Sequence, residues 1–209
     1  MNQSNIIRIL IADDHSVVAH GLALLLECER DITVIGQARN GYEVLELFRQ
    51  HQPDVTLMDL RMPQMGGVAA ITAIRAEFND AGIIVLTTYD GDEDIYRGLR
   101  AGAKGYLLKD AEPDELMRAI RMVHSGQKYI PPNIGAKLVN RMSNPELSDR
   151  ELAVVRLMVA GKSTQEISAA LSIAESTVKY HINNILSKLG ASDRTQAVLA
   201  ALKRGIANL

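Results

Sequence analysis

Two folds in tandem are what this sequence predicts: an α/β, doubly wound, five-stranded parallel sheet, then an all-α domain of four short helices. Three observations predict them. Strand-like apolar runs alternate five times with helical periodicity through the first 126 residues. A connection punctuated by Gly126, Pro131-Pro132 and Asn144-Pro145 follows, with Ile134, Leu138 and Val139 marking a short linker helix. The charge then changes sign. Residues 148–209 carry 8 Lys+Arg against 5 Asp+Glu, a net of +3, whereas residues 1–147 carry 15 against 20, a net of −5. The expected boundaries are 1–126, a linker over 127–145, and 146–209. A chain of 209 residues holds two such units, since domains commonly run ~100–150 residues.

Composition narrows the class. Hydrophobic residues make up 47% and charged residues 23%, ordinary values for a water-soluble globular chain. The longest apolar runs fall far short of a membrane span, and residues 1–5 lack a basic signal-peptide start. A cytoplasmic location without membrane association is therefore expected. Cys28 stands alone, which excludes a disulfide framework and a cysteine metal site. The basic second domain points to a polyanionic partner.

The elements follow in order. Ile-Ile-Arg-Ile-Leu-Ile-Ala at 6–12 is a strand that ends in Asp13-Asp14-His15, and Val18, Leu22, Leu25 and Leu26 then recur at helical spacing. A second strand spans 32–38, with Val44, Leu45 and Phe48 marking its helix. Val55-Thr56-Leu57-Met58 is short and apolar enough to be a strand buried on both faces. It ends in Asp59 and enters a turn with Pro63 and Gly66-Gly67, before a helix carrying Ile71, Ile74 and Phe78. Strand 82–87 precedes a helix around Ile95 and Leu99. Strand 105–108 ends in Lys109. The next helix opens on Pro113, whose missing N–H suits the first position, with Asp114 and Glu115 favourable against the helix dipole. Leu116, Ala119, Ile120 and Val123 give it one apolar face. No GxGxxG follows the first strand, which argues against dinucleotide binding.

In an open parallel sheet the ligand crevice lies at the carboxyl ends of the strands. There the chain sets Asp13, Asp14, Asp59, Thr87 and Lys109. One such Asp is as often a turn or cap residue, but five polar groups on four strand ends converge on one place. Three carboxylates brought together repel unless a cation sits among them. Hard oxygen donors favour Mg²⁺, usually completed by water and a phosphate. Lys109 can neutralise a second phosphoryl oxygen, and the Thr87 hydroxyl can bond a third. The set suits phosphoryl transfer to Asp59. A Mg²⁺-dependent phosphohydrolase with an Asp nucleophile shares these groups, but that chemistry usually wants a second acid two residues on. Here that position is Arg61.

The motifs Asp13-Asp14, Met58-Asp59-Leu60-Arg61-Met62-Pro63, Leu86-Thr87 and Gly105-Tyr106-Leu107-Leu108-Lys109 resemble the flavodoxin-like receiver domain of two-component response regulators, over about residues 6–126. The resemblance implies that Asp59 is the phosphoacceptor for a sensor histidine kinase. It implies that Asp13, Asp14 and Asp59 hold Mg²⁺ with the backbone carbonyl of Arg61. It also implies that Thr87 and Tyr106 form a switch pair, with Tyr106 turning inward as Thr87 is drawn to the phosphoryl group. Arg61 and Tyr89 take the variable positions beside the acceptor that influence phosphoryl lifetime.

The second domain opens on two capping-box signatures, Ser148-Asp149-Arg150-Glu151 and Ser163-Thr164-Gln165-Glu166. On its third helix Val178, Ile182, Ile185 and Leu189 share one face, opposite Ser176, Tyr180, Asn183, Asn184 and Ser187, with Lys179 on the flank. Two helices joined by a tight turn, the second with a hydrogen-bonding face, point to a helix-turn-helix. A solvated amphipathic helix would show the same periodicity. The segments Leu147-Ser148-Asp149-Arg150-Glu151, Lys162 to Ile167, Ser176 to Ile182 and Lys188 to Ala197 resemble the LuxR-type helix-turn-helix, and a receiver joined to it is the NarL/FixJ architecture. The resemblance implies that Lys179, Tyr180 and Asn183 face the major groove. Thr164, Ser176, Thr177, Lys188 and Arg194 are its candidate phosphate contacts. Ala174 departs from the family, where a capping Ser is common, at a cost of ~1 kcal/mol. Ala197, Val198, Ala201 and Leu202 resemble a dimerisation helix and read equally well as internal packing.

The expected function is a transcription regulator, not an enzyme beyond Mg²⁺-dependent self-phosphorylation and slow autodephosphorylation. A single helix-turn-helix buries a small DNA interface, so a homodimer formed on phosphorylation and an inverted-repeat site in double-stranded DNA are expected. An orphan regulator that binds DNA without phosphorylation shares the second domain but has no use for the acidic set.

Overall fold

The computed structural model describes residues 6–143 and 147–207. The chain divides into two compact units, Met1–Tyr89 with Arg97–Gly135, and Asp90–Tyr96 with Ala136–Leu209. The first unit carries the sheet, made of β1 (Ile7–Ala12), β2 (Ile32–Ala38), β3 (Val55–Met58), β4 (Ile83–Thr87) and β5 (Gly105–Leu108). All pairings are parallel, in the order β2-β1-β3-β4-β5. The strands after β1 wind outward in both directions. The order therefore reverses between β1 and β3, and the crevice of such a sheet opens there.

Alternation along the strands explains the two-sided burial. Ile7, Ile9, Ile11, Val55, Leu57, Ile84, Leu86 and Leu107 join one core with α1 (Ser16–Glu27) and α5 (Pro113–His124). Leu10, Thr56, Met58, Ile83, Val85 and Tyr106 are the intervening positions, turned to the other face and equally buried. On that side lie α2 (Gly41–His51) and α3 (Gly67–Glu77), whose ends meet through Phe48 and Phe78 with ring centroids 5.0 Å apart. The α5 face is as its periodicity predicts, with Leu116, Ala119, Ile120 and Val123 all buried. The α1 face differs. Its buried residues are Ala19, Ala23 and Leu26, while Leu22 and Leu25 pack only partly against the core. Small side chains let this helix approach the sheet closely, a contact that a count of large apolar residues does not register.

One feature lies within the expected linker. Tyr129 forms a parallel bridge with Gly105: its N–H donates to the Lys104 carbonyl at 2.9 Å, and its carbonyl accepts from the Tyr106 N–H at 3.1 Å. Its hydroxyl donates to Glu115 at 3.0 Å. The outgoing chain thus covers the open edge of β5, which would otherwise leave backbone groups unpaired.

The second unit contains α6 (Pro132–Ser143) from Ala136 onward, then α7 (Asp149–Val159), α8 (Thr164–Leu171), α9 (Glu175–Leu189) and α10 (Arg194–Lys203). The sequence boundary at 146 places α6 in a linker, whereas most of this helix groups with the second unit. Within that unit Arg141 donates to Glu93 at 2.7 Å, so α6 and the start of α4 (Asp92–Arg100) are joined. A core of Val154, Val155, Met158, Ile167, Val178, Ile185, Leu189, Ala197 and Ala201 binds the last four helices together. No helix among the described residues is long and apolar enough to cross a membrane.

Gly67 shows why the turn after β3 needs glycine. Its N–H donates to the Leu60 carbonyl at 2.9 Å, and a Cβ there would lie 2.1 Å from the Asp59 carbonyl oxygen. Gly67→Ala should therefore lower stability by about 1–3 kcal/mol through overpacking and displace the loop carrying Asp59. Urea denaturation checks the first outcome, and amide chemical shifts around residue 59 the second.

Candidate functional site

The chemistry gathers at the switch point. Main-chain bonds continue the sheet just past its ends: the Asp13 N–H donates to Ala38 at 2.9 Å, Asp59 to Ala12 at 2.8 Å and Lys109 to Thr87 at 2.9 Å. These bonds extend the sheet register into the loops, so the three side chains leave from fixed backbone. Asp13 and Asp59 are only 2% and 3% exposed, and Thr87 is fully buried. Asp14 and His15 form the exposed rim of the group.

Each oxygen of Asp59 has a donor. Oδ1 accepts from the Thr87 hydroxyl at 2.8 Å and from the Arg61 N–H at 3.4 Å. Oδ2 accepts from the Lys109 ammonium at 2.7 Å. The same ammonium reaches Asp13 Oδ2 at 2.7 Å, so one cation bridges two buried carboxylates. Burial alone would lower the Lys109 pKa, but Asp13 and Asp59 outweigh it and hold the ammonium above the ordinary lysine value. Asp13 Oδ1 takes the His15 N–H at 2.9 Å. One ligand atom each from Asp13, Asp14, His15 and Asp59 lies within 4.8 Å of the others, and such a group could hold a metal ion. The carboxylate-rich donor set fits a hard divalent cation.

Beside this cluster Tyr106 is fully buried and points inward, its hydroxyl donating to the Tyr89 carbonyl at 2.7 Å. The Tyr89 ring in turn stacks under the Arg61 guanidinium, 3.3 Å from ring centroid to Cζ. Asp13, Asp14, Asp59, Thr87 and Lys109, five residues from four strand ends, are thus brought together, with the Arg61 peptide at their edge.

In the second unit, α9 places Ser176, Lys179, Tyr180 and Asn183 on an exposed face, with Tyr180 63% exposed. Thr177 and Asn184 are half-buried, so the polar face is narrower than periodicity alone indicates. Val178, Ile185 and Leu189 are buried, while Ile182 is only partly covered. Thr164 sits half-buried at the first turn of α8. Ala174 makes no side-chain cap bond, as its methyl group requires. Both capping boxes form, around Ser148 with Glu151 and Ser163 with Glu166.

Two of the expected phosphate contacts have internal partners. The Lys188 ammonium pairs with the buried Glu151 carboxylate at 2.7 Å, and the Arg194 guanidinium donates to the Lys162 carbonyl. Sequence reasoning found Glu151 as a cap but missed this second use. The only sequence signal is a charged residue at a position the helix buries.

Against known families, residues 9–121 match the response regulator receiver domain, and residues 145–201 match the bacterial regulatory proteins of the luxR family. An uncharacterized transcriptional regulatory protein, YhcZ of Bacillus subtilis (strain 168), is 44% identical over 205 residues, spanning 94% of this chain and 95% of the relative. Among solved structures, the response regulator ChrA of a heme-sensing two-component system is similar at 36% identity and a TM-score of 0.59, covering 97% of this chain and 99% of ChrA. RcsB from Salmonella enterica serovar Typhimurium, bound to promoter P1flhDC in the presence of phosphomimetic BeF3⁻, is similar at 25% identity and a TM-score of 0.73, over 96% of this chain and 100% of RcsB. The fold and the acidic cluster define a response regulator receiver, and the helical unit a LuxR-type DNA-binding domain. The chain belongs to the two-component response regulators that combine these two domains.

The Glu151–Lys188 pair generates a pH prediction. Burial pushes the Glu151 carboxyl up, but Lys188 and the Ser148 donors outweigh it and leave the pKa below the usual glutamate value. A depressed folded-state pKa contributes stability above the unfolded value of ~4.3, and that contribution is lost as pH falls through the lower folded value. Glu151→Gln should thus cost about 1–3 kcal/mol at neutral pH. The gap from wild type should close on acidification. Urea unfolding of both proteins from neutral to acidic pH measures it.

Proposed function

We propose that this response regulator is a phosphorylation-driven transcription factor of the cytoplasm, with Asp59 as its phosphoacceptor. One observation carries the reading: the Asp59 carboxylate is held at once by Thr87 and Lys109, at the switch point and beside Asp13 and Asp14. One Asp59 carboxylate oxygen attacks the phosphorus of a sensor kinase's phosphohistidine. The P–N bond breaks, its electron pair returns to the imidazole nitrogen, and an acyl phosphate remains. Asp13, Asp14, Asp59 and the backbone carbonyl of Arg61 would hold Mg²⁺, which when bound would supply positive charge against the phosphoryl oxygens. Lys109 then donates to one phosphoryl oxygen and Thr87 to another. Slow autodephosphorylation, by water attack on the same phosphorus, returns Asp59 to a carboxylate.

The receiver extends to about residue 126, and the DNA-binding domain begins near 146. Thr87 and Tyr106 report phosphorylation, because Thr87 bonds the acceptor directly and Tyr106 is anchored to the Tyr89 carbonyl two residues along the same loop. The phosphorylated chain pairs as a homodimer and binds an inverted repeat. Lys179, Tyr180 and Asn183 read base edges from the exposed face of α9. Thr164, Ser176 and Thr177 contact phosphates, while Lys188 and Arg194 add positive charge there and brace the helices from within. The DNA-bound RcsB structure supports this direction, since it is similar over nearly the whole chain.

Incubation of the full chain with acetyl phosphate and Mg²⁺ should give acid-labile, hydroxylamine-sensitive phosphorylation that Asp59→Ala abolishes with the fold intact. Full labelling of that variant would sink the assignment. In sedimentation the phosphorylated wild type should shift from monomer toward dimer and bind DNA more tightly. Unchanged mass and affinity after verified phosphorylation would refute the coupling.

The interface has its own test. Asn183→Ala should weaken specific binding by roughly 1–3 kcal/mol, and Lys179→Ala should weaken it strongly. Footprints of the Lys179→Ala variant indistinguishable from wild type would remove that residue from the interface.

A further inference from the structure

We propose that the Arg61 side chain is a positioning residue of the switch. Stacked on Tyr89, it fixes the loop after β4 so that Tyr106 is held inward by a route that bypasses the acceptor, and the unphosphorylated chain keeps a share of its DNA affinity. This rests on the reading of Thr87 and Tyr106 as the pair that reports phosphorylation, and adds what biases that pair.

Tyr89 is held twice. Its ring lies against the Arg61 guanidinium, with Cζ 3.3 Å from the centroid, and its carbonyl accepts the Tyr106 hydroxyl at 2.7 Å. Arg61 and Tyr89 are both half-buried, and a stack of cation on ring keeps more of its strength there than in open water. Thr88, between Tyr89 and the strand end, is exposed and gives the loop little packing of its own.

Tyr106 depends on where that loop sits. Its ring is wholly buried beside α4, where a Cβ added at Gly98 would lie 3.6 Å from Cε2. Burial of the ring favours the inward position only while the hydroxyl has a partner, because a buried hydroxyl without one is costly. The Tyr89 carbonyl is such a partner, and a displaced loop would carry it away.

Two routes therefore lead to Tyr106. One runs through Thr87, whose hydroxyl bonds Asp59 Oδ1 at 2.8 Å, and a phosphoryl group acts on that one. The other runs through the Arg61–Tyr89 stack and the Tyr89 carbonyl, and it needs no phosphoryl group. A two-state element responds to phosphorylation only as far as its resting bias leaves room. A stack of this kind is worth about fivefold in the inward-to-outward ratio. Were packing alone to hold Tyr106, the stack would be a cover on the rim with no such effect, and experiment separates the two.

The full chain carrying fluorotyrosine would be followed by fluorine NMR, with the Tyr106 signal assigned through Tyr106→Phe. A duplex selected by the wild type from a random pool would be titrated alongside, before and after phosphorylation by acetyl phosphate and Mg²⁺. In the unphosphorylated wild type the Tyr106 signal should be shielded from a soluble gadolinium chelate. Arg61→Ala and Tyr89→Ala should each lower the inward-to-outward ratio about fivefold and weaken unphosphorylated DNA binding. Tyr89→Phe, which keeps the ring, should match the wild type, and phosphorylation should restore shielding and affinity in both alanine variants. Tyr106 open to the chelate in the unphosphorylated wild type would overturn the proposal. So would shielding or unphosphorylated DNA binding that both alanine variants leave unchanged. A signal that opens in those variants and stays open after verified phosphorylation would support the Arg61 role and sink the reading of Thr87 and Tyr106 as reporters.

Discussion

The Lys109 ammonium, set between Asp13 and Asp59 at 2.7 Å from each, is the interaction on which the receiver depends. One ammonium thus sits between two carboxylates that are almost wholly buried. The three residues sit at the ends of β1, β3 and β5, so the charge balance exists only when the sheet has its order and register. Such a buried cluster contributes little net stability, because desolvation offsets most of its Coulombic gain. Its value lies in position. Both Asp59 oxygens are already aimed at donors, so a group held by the same donors would need little reorganisation.

Around that cluster the polar contacts lead outward in steps. Thr87 touches Asp59, Tyr106 bonds the loop that follows Thr87, and the Tyr106 N–H bonds the Tyr129 carbonyl of the outgoing chain. A change at Asp59 therefore meets a continuous set of bonded groups that ends where the chain leaves the sheet. Arg61, stacked on Tyr89, lies along the same path, between Asp59 and the loop that anchors Tyr106.

The helical unit solves a different problem, holding an exposed helical face steady on a small core. Glu151 does this with one carboxylate: it completes the Ser148 cap of α7 and takes the Lys188 ammonium of α9. Arg194 ties the start of α10 to the turn before α8. The C-terminal turn of α9 is thus tied to α7 from behind while Lys179, Tyr180 and Asn183 remain exposed. Rigid placement of this kind matters more for reading bases than extra stability does, since base-edge hydrogen bonds are sensitive to position.

The sequence by itself determined whatever depends on local pattern. Short apolar runs set the strands 55–58 and 105–108, and period-two burial put Leu57 and Met58 on opposite faces. The capping signatures at Ser148 and Ser163 and the apolar stripe of α5 were equally legible, because each reports the conformation of its own segment. The converging acids were legible too, since parallel sheets send every strand end to the same side. Other features were decided by tertiary structure alone. Lys109 meets Asp59 fifty positions away only through the order of β3, β4 and β5. Tyr129 covers the β5 edge, Ala19 and Ala23 replace larger residues on the inner face of α1, and Lys188 turns to Glu151. These pairings join segments with no local signal for one another, and packing selects the partner after both segments have formed.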